Sequence, residues 1–398
     1  MYIKKEREKK NMNPTEYTLP ETVASAPVVP SHSGKPSRVE WLDILRGFMM
    51  YFVIYGHITE WDDAIDYIYS FHMPVFFLIS GITSRFSRET STLRFIWKKF
   101  FGLVVPYFIL NLYVVPLRKW LELIGECNLQ SVSDQILGIL FSNSNTGYKM
   151  ASNTLWFLPC LFLTSVLFFL LRRTAARIAG KFLAKENIAF SLSGMTDFLT
   201  AFLVILTIAV ATILDLNQGS GGIWHYRGAI YCTGFFLAGY LLVPLLQSFQ
   251  GHIQASEPFL MSQVMILFYI GYILSDQNGY VSIIRNRYGN LFLYYGSAIC
   301  TGLAFVFLFM MLSESSRFLK LAKPLDYIGR KTLPYIAFQV PVMKLLSYYI
   351  PAFGSHVEPV VTILSLLLFV GLILPAGFID RHLPRKATYP AVLEGVRH

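Results

Sequence analysis

The chain consists of ten apolar blocks separated by polar segments. The blocks lie at approximately 41–57, 66–84, 100–117, 153–171, 198–214, 228–247, 259–275, 289–313, 332–350 and 358–377. Each is close to the roughly 20 residues that an α-helix needs to cross the hydrocarbon core of a bilayer. Backbone groups in lipid must hydrogen-bond within their own segment, and the blocks are too long for barrel strands. The pattern therefore predicts an all-α polytopic membrane bundle of ten transmembrane helices.

Composition supports the membrane assignment. Hydrophobic residues make up 54% of the chain and charged residues 15%, with a mean hydropathy of +0.48. A soluble domain carries about 25% charged residues. The net charge of +10 is also compatible with a nucleic-acid partner, but no nucleic-acid-binding pattern is present. We therefore expect membrane lipids, and no nucleic acid, as partners.

The positions of the cations predict the orientation. With the N-terminus inside and alternating spans, 26 of the 34 Lys and Arg residues lie inside and 6 outside. Only Arg46 and Lys344 fall within spans. Cytoplasmic loops of membrane proteins are enriched in Lys and Arg. This distribution predicts a multi-pass protein of the plasma (inner) membrane with both termini in the cytoplasm.

The termini and the cysteines complete the predicted organisation. Residues 1–40 combine a basic run with a Ser/Pro/Thr-rich stretch and no signal-peptide pattern, so a disordered cytoplasmic tail is expected. Residues 41–380 form the predicted transmembrane domain, and 381–398 a short cytoplasmic tail. No internal repeat is evident. The four cysteines lack metal-ligand spacing, so we expect small buried residues and no metal site.

The first block carries three ionisable residues, Asp43, Arg46 and His57. Charged groups inside a span are costly and are functional candidates. Arg46 and His57 are eleven positions apart, which places them on one helix face about 16 Å apart along the axis. They would line one cavity at two depths, Arg46 toward the cytoplasm, with Asp43 as its partner. Snorkelling of Arg46 and an interfacial position of His57 are the structural alternatives.

The second block contains the run FHMPVFFLISG, with His72 near its outer end. The loop between the first two blocks is short, so His57 and His72 should share the outer rim. Ser80 and Gly81 should allow a close approach of another helix. Arg85 and Arg88 follow just inside. They suit an anionic group such as a nucleotide phosphate, although a topogenic basic loop would look the same.

These segments resemble the membrane acyltransferase-3 family, in particular its fucose 4-O-acetylase-like, polysaccharide O-acetyltransferase branch. The resemblance is carried by WLDILRG at 41–47, YGH at 55–57 and the FHMPVFFLISG run. The family's Arg…His pair matches Arg46 and His57, and its Arg-x-x-Arg matches Arg85 and Arg88. NTLWFL at 153–158 is similar to the family's Leu-Trp-Phe-Leu motif. The resemblance extends over about residues 38–380.

One position departs from the family pattern. Near the ninth helix the family often has a histidine, whereas Gln339 stands close to that point here. Glutamine cannot act as a base at neutral pH. Either the position is not catalytic, or this member differs in substrate use.

The resemblance implies transfer of an acetyl or other acyl group from cytoplasmic acyl-CoA to a hydroxyl of an extracytoplasmic glycan. Acetyl-CoA would be the co-substrate, and the acceptor a cell-surface or lipid-linked glycan. His57 would be the general base, with Arg46 and His72 as further catalytic residues. Arg46, Arg85 and Arg88 would bind the phosphates of coenzyme A. A covalent acetyl-His57 intermediate is the alternative to direct transfer.

Four further residues are candidates for contacts with the acceptor substrate: Trp156, Trp224, Arg227 and Glu60. Trp224 and Arg227 lie at the predicted outer mouth of the sixth helix and suit stacking and hydrogen bonding with a sugar. Glu60 lies three residues after His57 and could orient its ring. The remaining histidines, including the neighbouring His225, are expected in solvent.

Two alternative functions fit the pattern. A transporter or flippase of a small metabolite or lipid-linked sugar would also have ten helices and an intramembrane arginine. The missing repeat and the clustering of polar residues in the first two helices speak against it. A sensory or structural membrane protein without chemistry is the third interpretation.

Overall fold

The structure is a computed structural model. It describes residues 39–87, 91–125, 128, 131–142, 153–186, 191–217, 219, 221–250, 257–349 and 358–383. The predicted tails fall largely outside these residues, as does Arg88. Within the described ranges the chain is helical and contains no β-strand, which confirms the predicted all-α membrane bundle.

The helices follow the apolar blocks. In chain order they are α1 (Glu40–Ile58), α2 (Asp62–Arg85), α3 (Thr92–Lys99), α4 (Val105–Leu123), α5 (Val132–Phe141), α6 (Phe157–Glu186), α7 (Leu192–Ile213), α8 (Tyr226–Gln250), α9 (Glu257–Asn278), α10 (Leu291–Leu312), α11 (Ser316–Leu321), α12 (Lys323–Arg330), α13 (Thr332–Tyr349), α14 (Glu358–Gly371) and α15 (Ile373–Asp380). A π-helical turn at Phe100–Val104 joins α3 to α4. Short 3₁₀ turns at Asn153–Trp156 and Ile223–His225 precede α6 and α8.

Eight helical segments of the described residues are long and apolar enough to cross a membrane. They are 62–85, 92–123, 153–184, 192–213, 223–249, 258–278, 291–312 and 360–380. The other two predicted spans correspond to α1, with 19 residues, and α13, with 18. Both are shorter and carry polar residues in their interiors, among them Arg46 and Gln339. The membrane bundle is therefore established, and the count of ten spans stays a prediction.

Two pairs of glycines bring helices into backbone contact. A Cβ atom on Gly81 of α2 would collide with the backbone of α8 at Phe236, and one on Gly239 of α8 with α2 at Leu78. The predicted close approach at Gly81 is confirmed. Gly47 of α1 and Gly329 of α12 form an equivalent contact, because a side chain on either would strike the other helix. α1 and α2 are thus held at fixed distances from the bundle.

The segment between α4 and α6 contains a helix where the sequence suggested only a polar loop. α5 begins after Ser131, whose side-chain oxygen accepts a hydrogen bond from the backbone N–H of Asp134. The Tyr107 hydroxyl donates to the carbonyl of Ile139 at 2.6 Å. The indole of Trp224 donates to the carbonyl of Leu140 at 2.8 Å. These bonds hold α5 against α4 and the start of α8.

Candidate active site

A cavity of about 360 Å³ lies at the His57 end of α1, and we call it the outer cavity. Its wall combines α1, α2, the 3₁₀ turn before α6, the loop between α9 and α10, and α13. The lining residues include Val53, His57, Tyr69, His72, Met73, Asn153, Thr154, Trp156, Tyr280, Ser282, Arg285, Ile336 and Gln339. Residues from five separate parts of the chain therefore meet in one polar and aromatic chamber.

His57 and His72 both line this chamber, as predicted, and Tyr69 lies between them. The Tyr69 hydroxyl is 3.4 Å from Nδ1 of His57. Its ring packs edge-on against His72, with centroids 4.9 Å apart. His57 is exposed, whereas His72 is only 5% exposed. The two histidines therefore share one tyrosine and one cavity.

The tautomer of neutral His72 follows from its hydrogen bond. Nδ1 lies 2.6 Å from the carbonyl oxygen of Ile68, one turn earlier on α2. A carbonyl oxygen only accepts, so Nδ1 carries the proton and Nε2 carries the lone pair. His72 is therefore set to accept a hydrogen bond or a proton through Nε2.

Gln339 lies deeper in the wall, on α13. Its side chain is 2% exposed. Neither the amide nitrogen nor the amide oxygen has a hydrogen-bond partner among the described residues. The position that departs from the family pattern thus faces the same cavity as His57 and His72.

Trp156 is the one aromatic candidate of the sequence analysis that lines the outer cavity. It is 8% exposed, and its ring lies 5.4 Å from that of His225. The turn that carries it is tied to α13, because the Thr154 hydroxyl donates to the Ile336 carbonyl. This bond fixes Trp156 opposite α13.

The other acceptor-binding candidates lie elsewhere. Trp224 donates to Leu140 and packs against Phe162, with centroids 6.1 Å apart. Arg227 contacts the Tyr226 hydroxyl at 3.3 Å. Glu60 is exposed. None of these three candidates is among the described lining residues of the outer cavity.

The expectation that His225 is solvated is wrong. Its side chain is fully buried beneath Trp156. Trp224 and His225 have φ angles of 55° and 54°, in the left-handed region. This backbone turns the imidazole inward at the start of α8, which a loop position in the sequence did not reveal.

Sequence reasoning did not single out the loop between α9 and α10, which closes one side of the outer cavity. Ser282 and Arg287 pair through two backbone hydrogen bonds of 2.7 and 2.9 Å. Tyr288 donates to Asn286 at 2.8 Å, and burial raises the pKa of its phenol well above the usual value, so it remains a neutral donor. The loop places Arg285 on the cavity wall. Arg285 was visible as one of few cations predicted outside.

A second cavity, of about 160 Å³, lies at the Arg46 end of α1, and we call it the inner cavity. Its polar lining residues are Asp43, Arg46, Ser80, Ser84, Ser87, Lys98, Lys99 and Thr332. Arg46 donates to Asp43 at 2.7 Å, which confirms the predicted partner. Lys98 and Lys99 are two of the cations that the charge distribution places on the inner side, and they join Arg46 in this lining.

Arg85 lies in a smaller neighbouring cavity of about 110 Å³. It forms an ion pair with Asp197 at 2.8 Å and stacks over the ring of Tyr240 at 4.5 Å. Arg172 stacks over the same ring at 5.0 Å. Ser84 and Ser87 line both this cavity and the inner cavity. Arg46 and Arg85 are thus in adjoining chambers, and Arg85 already holds a carboxylate.

An apolar constriction separates the inner and outer cavities. On α2, Met73 lines the outer cavity and Phe76 the inner one. Likewise, Trp156 lines the outer cavity and Phe157 the inner one. On α13, Ile336 lines the outer cavity and Leu333 the inner one. Three residues of a helix span about 4.5 Å. The rings of Phe76 and Phe157 are 5.8 Å apart. Two polar chambers therefore approach within about one helical turn across an aromatic barrier.

The comparison with known families agrees with this arrangement. The model of the acyltransferase-3 family, described as an acyltransferase domain, matches residues 39–379. The chain therefore belongs to this family of membrane acyltransferases. The match covers α1 through nearly all of α15, so both cavities lie inside it. A comparison with curated proteins gives no match.

Proposed function

We propose that the protein is an acyl-CoA-dependent O-acyltransferase of the plasma membrane. It would transfer an acetyl group from cytoplasmic acetyl-CoA to a hydroxyl of a cell-surface or lipid-linked glycan. The observation that carries the proposal is the pair of polar cavities on one set of helices, divided by a single aromatic constriction. A reaction between a cytoplasmic donor and an extracytoplasmic acceptor requires access from both sides and a short path between them.

The inner cavity suits the donor. Coenzyme A is anionic, and Arg46, Lys98 and Lys99 provide three cations against the single carboxylate of Asp43. Arg85 adds a guanidinium in the adjoining chamber. The thioester arm would reach the outer cavity at this constriction. The rings of Phe76 and Phe157 are in edge contact there, so they must move apart to admit the arm.

The outer cavity suits the acceptor and the chemistry. His57 would take the proton of the acceptor hydroxyl while the hydroxyl oxygen attacks the thioester carbonyl carbon. The C–S bond breaks, and the protonated His57 returns the proton to the leaving thiolate as free coenzyme A departs. His72 would accept a hydrogen bond from the acceptor through Nε2. Trp156 offers an apolar face to the sugar ring.

Family membership favours this proposal over a transporter. The constriction alone would suit either function, since transporters also divide two vestibules. An acyltransferase domain covering residues 39–379 leaves transport without support.

A cellular experiment tests the proposal. Cells lacking the gene are complemented with the wild type, with His57→Ala or with His382→Ala, and the O-acetyl content of surface glycans is measured. His382 is an exposed histidine outside both cavities and serves as the matched control. We expect restoration by the wild type and by His382→Ala but not by His57→Ala. Full acetylation with His57→Ala at equal expression would overturn the proposal.

A further inference from the structure

Gln339 is a buried polar side chain that lacks partners. Roughly nine in ten buried polar groups in folded proteins are hydrogen-bonded. In Gln339 both the amide nitrogen and the amide oxygen are buried and unpaired within the described part of the chain. The side chain lines the outer cavity together with both histidines. The chamber where the acceptor would lie is therefore lined by a residue whose amide groups are unpaired among the described residues.

The two unpaired atoms restrict the chemistry of a ligand. The amide nitrogen donates and the amide oxygen accepts, so a complementary group must do both. An oxyanion or a phosphate oxygen only accepts, and either would leave the Gln339 oxygen unpaired. An ammonium group only donates. A hydroxyl, or two hydroxyls on adjacent carbons, satisfies both atoms.

The surroundings of Gln339 favour a carbohydrate. Trp156, Tyr69 and Tyr280 contribute aromatic surface to the same chamber, and Arg285 contributes donors. Ligand sites typically combine apolar and aromatic walls with a few polar groups that set orientation. A neutral amide also keeps both its donor and its acceptor at any pH at which the protein is folded.

We infer that Gln339 is a specificity-determining residue that binds a hydroxyl adjacent to the one that is acylated. This inference rests on the proposed function, and it names the part of the acceptor that the enzyme recognises. The amide donates to one hydroxyl oxygen and accepts from the same or the neighbouring hydroxyl. The acylated hydroxyl is thereby directed to the histidines, and an acceptor without the neighbouring hydroxyl is bound weakly.

The first experiment measures binding without any donor. Full-length wild type, Gln339→Leu and Gln135→Leu are purified in detergent and titrated with methyl glycosides of common hexoses and their monodeoxy analogues. Leucine keeps the approximate volume but removes both polar atoms. Gln135 is also buried, but it lies on α5 and pairs with Glu122, away from the outer cavity. It controls for the loss of any buried glutamine.

We expect Gln339→Leu to weaken binding of the preferred glycoside about tenfold, the effect of roughly one good hydrogen bond. We expect one monodeoxy analogue to bind the wild type about as weakly, and to bind Gln339→Leu with no further loss. This non-additivity assigns the missing hydroxyl to Gln339. Gln135→Leu should match the wild type. Equal affinities for Gln339→Leu and the wild type, or no binding of any glycoside, would overturn the inference and leave water as the partner of the amide.

A second measurement separates this inference from the proposed function. Hydrolysis of acetyl-CoA without acceptor is measured in the wild type, in Gln339→Leu and in Gln135→Leu. Gln135→Leu should keep the wild-type rate, because Gln135 is not among the described lining residues of either cavity. If the wild type hydrolyses acetyl-CoA but Gln339→Leu shows an unchanged KM for the acceptor, the inference fails and the proposed function stands. If the wild type consumes no acyl-CoA but loses glycoside binding on Gln339→Leu, the subsite stands and the reaction fails.

Discussion

The hydroxyl of Tyr69 lies 3.4 Å from Nδ1 of His57, so a side chain of α2 contacts the imidazole at the end of α1. A base that acts through Nε2 must carry its ring proton on Nδ1, and the Tyr69 oxygen is placed to accept that proton's hydrogen bond. The same tyrosine packs on His72. Tyr69 is therefore the structural link between the two histidines.

Replacement of Tyr69 by phenylalanine should slow acyl transfer without weakening the binding of the donor acetyl-CoA. The ring still packs against His72, but the hydrogen bond to His57 is lost. We expect kcat to fall about tenfold with an unchanged KM for acetyl-CoA, because one orienting hydrogen bond is removed. Tyr67→Phe is the control, since that hydroxyl contacts Thr301 and lies outside the cavity lining. Equal kcat values for the two variants would contradict the orienting role.

The transfer rate should fall as the solution is acidified. A protonated imidazole cannot take the proton of a hydroxyl, and histidine has an ordinary pKa of about 6.5. Below the kinetic pKa the rate should drop about tenfold per pH unit, and above it the rate should be constant. The residual activity of His57→Gln, measured in the same series, should not show this decrease at acidic pH. A wild-type rate that stays constant down to the acid limit of the folded protein would argue against a histidine base.

The two lysines of α3 should contribute to donor affinity. Lys98 and Lys99 line the inner cavity, whereas Arg94 on the same helix does not. We expect Lys98→Ala and Lys99→Ala each to weaken acetyl-CoA binding up to about tenfold, and the loss to shrink at high salt. Arg94→Ala should bind as the wild type does. Calorimetric titration of the three variants decides the point, and equal losses for all three would indicate a diffuse charge effect instead of a site.

Much of this arrangement could be predicted from the sequence, because membrane helices are encoded by local hydropathy. The positions of α1 and α2 follow from their apolar blocks, and the shared cavity of His57 and His72 follows from helical periodicity and a short loop. The close contact at Gly81 could be predicted because small residues allow helices to approach closely.

Other features depend on contacts between distant segments and could not be predicted from the sequence. His225 is adjacent to a loop in the sequence, yet packing beneath Trp156 buries it. The loop that carries Arg285 reaches the cavity only because α9 and α10 bring it there. The ion pair of Arg85 with Asp197 joins residues 112 positions apart, and no local sequence pattern predicts it.

The packing of α2 against α8 provides a test of stability. A methyl group on Gly81 would meet the α8 backbone, so Gly81→Ala should lower the free energy of unfolding by about 1–3 kcal/mol. Gly180→Ala on α6 is the matched control, because no atom lies within 4 Å of its added Cβ. Alanine is favoured over glycine in a helix, so the control should be neutral or slightly stabilising. Thermal unfolding in detergent measures both, and equal melting temperatures would contradict the described contact.

Acetyl-CoA binding and turnover by the purified protein test the proposed role of His57 in acyl transfer. Wild type and His57→Ala are compared in detergent, with binding measured by titration. Turnover is measured by release of free coenzyme A as water, in place of the glycan hydroxyl, takes the acetyl group. We expect both proteins to bind acetyl-CoA with similar affinity. Only the wild type should release coenzyme A at an appreciable rate, with a loss of at least about a hundredfold in His57→Ala. A wild type without affinity for any acyl-CoA, or a His57→Ala protein with full turnover, would contradict the proposed role.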